Sequence, residues 1–219
     1  MKNPSIFIFS GITGSIFVIL GTLISAFAYR GKQGETYSPL NHFISELGEV
    51  GVSRLAWVFN TGLILCGLIL IPACISLGVI LPGFLSKLGM TSGVIAAVGL
   101  ALVGFNPMNK LEPHGKAAVT FFRSGLVMVL SFSLAIAIQP ANHLVIPRMY
   151  SLAGLPAILS FGGFLLLMGR SSRVETRDPL QPITDNRPKF WLMATVEWSI
   201  FMTIVLWFLL IAVSLQKIT

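Results

Sequence analysis

The sequence predicts an all-α membrane protein: one integral domain, residues 1–219, folded as a six-helix transmembrane bundle with a short interfacial helix between helices 1 and 2. Three observations predict it. Charged residues make up only 11% of the chain and hydrophobic residues 54%, with a mean hydropathy of +0.84; soluble domains carry roughly 25% charged residues. Apolar runs recur at about the 20 residues a helix needs to cross a bilayer. These runs also lack the apolar–polar alternation, over roughly 10 residues, of a transmembrane barrel strand.

The spans fall at 5–29, 54–80, 86–105, 117–139, 145–169 and 189–214. The first carries Lys2, an apolar run and Ala26-Phe27-Ala28, the outline of a signal peptide. A signal core is only about 7–15 apolar residues, however, and this run is longer, so a retained helix is expected. Helix 2 holds both cysteines, Cys66 and Cys74, which are expected to pack as small apolar residues. Helix 3 carries Gly89 and Gly93 in a GxxxG spacing, a helix-contact pattern expected to serve internal packing. Pro72 and Pro156 are candidate kinks in helices 2 and 5.

A second copy of one hairpin is visible. "FNTGL" (59–63) parallels "FRSGL" (122–126), and "PGFLSKLG" (82–89) parallels "PRMYSLAG" (147–154). Helices 2–3 and 4–5 therefore read as an internal repeat, 59–105 and 122–170. The repeat aligns Asn60 with Arg123, and helix 6 carries Glu197 at a similar place. Each lies roughly six to eight residues into its helix, a depth of about 9–12 Å. Ionisable groups in a membrane usually face the bundle interior and pair, so Arg123 and Glu197 are expected to meet, with Asn60 beside them.

With six spans both termini lie on one side. Lys2, Lys87, Arg148 and Lys217 lie on that side. The odd-numbered loops hold ten basic residues: Arg30, Lys32, Arg54, Lys110, Lys116, Arg170, Arg173, Arg177, Arg187 and Lys189. The positive-inside rule then makes the odd loops cytoplasmic and the termini external. The net charge of +7 reflects this topology and an affinity for membrane lipids, and does not point to nucleic acid. The fifth loop, "RSSRVETRDPLQPITDNRPK", reads as a Pro-rich linker.

The odd loops also hold the chemistry. In "PLNHFISELGEVG" (39–51), Leu40, Phe43, Ile44 and Leu47 fall at i, i+3, i+4 and i+7, the pattern of an amphipathic helix. Ser38 or Asn41 would cap it and Gly48 would end it. Its other face carries His42, Ser45 and Glu46, and Glu46 is expected to turn toward His114 and Arg123, away from water. The third loop, "GFNPMNKLEPHGKAA", adds Asn106, His114 and Lys116. The candidate site is thus a cover (His42, Ser45, Glu46), a rim (Asn106, His114, Lys116) and a floor (Asn60, Arg123, Glu197).

"FISELG", "FNTGL", "GFNP" and "HGKAAVTFF" resemble an uncharacterised prokaryotic membrane family of unknown function. That family is similar in turn to DRAM-like autophagy modulators and to GPI-lipid-remodelling membrane proteins. The resemblance covers roughly 39–131 and implies roles for Ser45, Glu46, Gly48, Asn60 and His114. It implies an acidic residue soon after the loop proline, where this chain has Asn109, which weakens a metal-binding reading. The eukaryotic relatives imply a lumenal first loop, against the charge count.

Three functions compete. In the first, Arg123, Lys116 and Asn60 hold an anionic lipid head group or small amphiphile, since Arg suits bidentate anion recognition. The second is an intramembrane lipid hydrolase, using a Ser45–His114–Glu46 set or a zinc on His42, His114 and Glu46. Only His42 and His114 lie on the odd-loop side, so Glu46 would have to be the third of the three protein ligands a catalytic zinc usually takes, and no metal site is expected. The third is a small transporter, or a structural subunit of a larger membrane complex or homo-oligomer. No cofactor is named by the sequence.

Overall fold

The computed structural model describes residues 3–174 and 187–217. It contains six long helices: α1 (Pro4–Ala28), α2 (Ala56–Ile80), α3 (Gly83–Phe105), α4 (Leu111–Ala137), α5 (Leu155–Val174) and α6 (Leu192–Gln216). All six spans are long and apolar enough to cross a membrane, the fifth when its 3₁₀ lead-in Arg148–Gly154 is included. The chain is an integral membrane protein. There is no strand among the described residues.

Neighbouring helices pack as a closed ring, α1 on α2, α2 on α3, α3 on α4, α4 on α5, α5 on α6 and α6 back on α1. Large side chains such as Phe9, Phe27, Phe84 and Leu159 stay exposed on the outside, as expected where lipid is the solvent. Inside, Phe7, Phe132, Trp207 and Ile211 are buried. Small residues let the helices approach. Gly89 lies against the Phe132 ring and Gly93 against Cys74 and Met128, so the GxxxG pair is used internally. Both cysteines are free and buried.

Only Leu81 and Pro82 join α2 to α3, and the tight turn ends on Gly83 at φ +86°, a backbone angle that favours glycine. One expectation about proline changes. Pro156 is the second residue of α5 and Pro113 the third of α4. First-turn N–H groups have no helical partner, so proline costs little there and does not kink the helix. Helix α4 accordingly starts six residues earlier than the apolar pattern predicts, and His114 belongs to its first turn. Pro72 does lie inside α2. Most of the fifth-loop linker (175–186), including Arg177, lies outside the described residues.

Candidate functional site

The first loop folds as a cover across the odd-loop end of the bundle. The expected amphipathic helix over 39–51 is replaced by turns and one five-residue 3₁₀ helix, Ile44–Gly48. The side chains compete with helix formation. The Phe43 N–H donates to Glu46 Oε1 at 2.8 Å, fixing a tight local turn. The Tyr37 hydroxyl donates to Phe43 O at 2.9 Å and accepts from Trp198 Nε1 at 2.8 Å. Burial pushes the Tyr29 and Tyr37 phenols above their usual range, so both keep their protons.

Five attachments hold the cover. Arg187, just before α6, donates to both Glu46 oxygens, Nη1 to Oε1 at 2.9 Å and Nη2 to Oε2 at 2.7 Å, and also to Asn41 O at 2.7 Å. Trp191 N–H donates to Leu40 O at 2.7 Å. Asn60 Nδ2 donates to Gly48 O at 3.0 Å. Asn109 makes a two-point clip with Val50, accepting its N–H at 2.7 Å and donating to its carbonyl at 2.8 Å. Glu197 accepts the Ile44 N–H at 2.7 Å, and the Ser45 N–H also bonds to it. Gly48 sits so close to Asn60 and Phe59 that a Cβ there would clash with the Asn60 amide.

Below this cover lies a cavity of about 100 Å³. Its walls are apolar, with Leu63, Cys66, Ala97, Phe122 and Phe208 among them, and its polar lining at the covered end comes from Ser45, His114 and Glu197. Along α6 the lining runs from Glu197 to Phe208, about 16 Å at helical rise. A small volume over that length makes the cavity thin. His114 is buried, with Nδ1 2.7 Å from Asn106 O.

The predicted site residues therefore separate. Ser45, His114 and Glu197 meet at the cavity, Asn60 and Asn106 support it, and Glu46 is turned from water but pairs with Arg187 and not with the expected Arg123. Arg123 and Lys116 do not join them. Arg123 is exposed on the outer face of α4, and the expected pair with Glu197 is absent from the ion pairs of the described residues. The cause is geometric. Nine residues at 100° each put Arg123 about 180° around α4 from the inward-facing His114. Asn60, its match in the expected repeat, bonds to Gly48 of the cover, so the two aligned positions do not face alike. Lys116, two residues after His114, also points out and pairs with Glu112 at 2.6 Å, both side chains more than three-quarters exposed.

The hydrolase arrangements do not assemble either. Glu46 is held by Arg187, and His42 is packed against the Tyr29 and Tyr37 rings. Among the described residues no group of three His, Cys, Asp or Glu could hold a metal. Arg187 and Asn109 are the site residues that sequence reasoning missed. In the sequence Arg187 stands out only as loop charge, and Asn109 only as a departure from the resembled family.

No curated protein and no solved structure matches the chain. A family model described as a protein of unknown function, DUF998, matches residues 12–214. The match extends the resemblance to an uncharacterised family from 39–131 to nearly the whole sequence, and the chain belongs to the DUF998 family.

Proposed function

We propose that this protein binds a single-chain amphiphile inside the membrane, with the chain in the central cavity and the polar end beneath the 3₁₀ turn. The observation that carries this reading is the thin apolar cavity closed at one end by Ser45, His114 and Glu197. Ligand sites are largely apolar with a few convergent polar groups. The cavity's narrowness suits one unbranched chain; its about 100 Å³ is below the 300–1,000 Å³ typical of ligand sites, so a full chain would part the helices slightly. Catalysis is less well supported. A triad needs a base hydrogen-bonded to the nucleophile and oriented by a third group, whereas His114 Nδ1 is engaged by Asn106 and Glu197 by backbone amides.

The test is native mass spectrometry of the purified protein for retained lipid, with Ala97→Leu and Ala118→Leu narrowing the cavity from α3 and α4. Retained amphiphile should drop in both folded variants. Undiminished retention in both would refute the reading. From the charge distribution we also take the odd loops to be cytoplasmic, so the cover would face the cytoplasm. A cysteine introduced at Lys32 should then react with impermeant maleimide only in inverted vesicles.

A further inference from the structure

We propose that the covered end of the cavity recognises a hydrogen-bond donor, an ammonium or hydroxyl head on a single apolar chain, rather than a phosphate or carboxylate. This rests on the amphiphile-binding reading and adds the chemistry of the head group.

The argument starts from what the polar lining offers. A backbone carbonyl can only accept, so the 2.7 Å contact between His114 Nδ1 and Asn106 O places the ring hydrogen on Nδ1. The neutral ring is then an acceptor at Nε2. Glu197 takes the Ile44 and Ser45 amides, with Oε2 receiving the Ile44 N–H. A carboxylate has about four acceptor sites, so capacity is left over. The Ser45 hydroxyl can serve in either sense. Ser15, deeper in the cavity, spends its hydroxyl on Gly11 O at 2.7 Å.

Among the described residues no Lys or Arg lines this cavity. The nearby cations are committed or turned away: Arg187 to Glu46, Lys116 to Glu112, and Arg123 to the outer face of α4. Buried charge is costly unless paired. An anionic head would stand beside a carboxyl group with no cation among the described residues lining the cavity to meet it. An ammonium would supply the partner that the lining lacks, and a hydroxyl would donate to Glu197 or His114.

The test uses dodecylamine, dodecanol and dodecanoate, added one at a time to the protein in an uncharged detergent and read by native mass spectrometry. The amine and the alcohol should give one-to-one adducts, and dodecanoate about tenfold less, the scale of one charge-assisted hydrogen bond. The chain's net charge of +7 biases non-specific uptake toward the carboxylate, so an amine preference would not reflect bulk charge. Glu197→Gln should lower the amine adduct about tenfold and leave the alcohol nearly unchanged. Dodecanoate binding as well as the amine, or an amine adduct indifferent to Glu197→Gln, overturns the head-group assignment. If those adducts still disappear in Ala97→Leu and Ala118→Leu, the chain-binding reading survives alone. Adducts unaffected by both cavity-filling variants overturn both.

Discussion

Glu46 and Glu197 are both buried, 4% and 7% exposed, and a single short turn sits between them. Their compensation differs completely. Glu46 has a full charge partner in Arg187, two-pronged and at hydrogen-bond distance, and accepts the Phe43 amide as well. Glu197, inside the α6 span, has only the Ile44 and Ser45 amides. The first arrangement is complete without any ligand and fastens loop to helix. The second leaves a carboxyl group at the end of a cavity with unused acceptor capacity. Burial of an acidic side chain alone therefore does not single out a candidate ligand group; the partners around it do.

That contrast breaks most readily at the ion pair. Glu46→Ala strands Arg187 and the Phe43 amide. Losing one partner of a buried pair costs about 3–5 kcal/mol; with Arg187 a fifth exposed, about 2–4 kcal/mol is expected in denaturant unfolding of the detergent-solubilised protein. Arg187→Met alone should be similarly damaging, and the double variant should lose clearly less than the sum. Glu197→Gln keeps a carbonyl acceptor for the amides and should cost about 1 kcal/mol or less. Equal losses for Glu46→Gln and Glu197→Gln would erase the distinction between fastener and ligand group.

Smaller effects test how the cover is seated. Gly48→Ala places a methyl group against the Asn60 amide that bonds Gly48 O, so about 1–2 kcal/mol should be lost through clash and a broken hydrogen bond. Because the damage passes through Asn60, Gly48→Ala combined with Asn60→Ala should fall short of additivity. Asn109→Ala removes two exposed hydrogen bonds to Val50 and should cost about 0.5–1 kcal/mol.

The fold was legible because the bilayer dictates it: span length and apolarity identify helices regardless of how they pack. The site was legible only in part. His114, Ser45 and Glu197 were found by residue type and membrane side. Arg123 is assigned by repeat alignment and depth, although the nine-residue spacing from His114 already opposes the two side chains by about 180° on one helix. Lys116 carries the same angular signal. The Glu46–Arg187 pair joins positions 141 apart, and neither periodicity nor depth relates a loop residue to so distant a partner. The helical pattern of 39–51 misled because Leu40 O and the Phe43 N–H bond outside any helix, to Trp191 and to Glu46.

The weakest test concerns the aromatic pocket beside the fastener. His42 is 2% exposed, with ring contacts to Tyr29 and Tyr37 at 5.5 and 5.1 Å. Its Nδ1 lies 2.8 Å from Asn41 Oδ1, and its Nε2 is buried without a hydrogen-bond partner. Burial lowers its pKa; Glu46 opposes that shift and Arg187 adds to it. The folded protein therefore binds fewer protons at this ring than the unfolded chain does. Stability from His42 is fully present above the unfolded value of about 6.5. It falls as pH drops below that value toward the lowered folded pKa. Replacing the ring by His42→Phe should flatten the pH 5–7 part of the stability profile, leaving the carboxylate-dependent loss at lower pH. A variant whose profile keeps the wild-type slope between pH 5 and 7 would place the titrating group elsewhere.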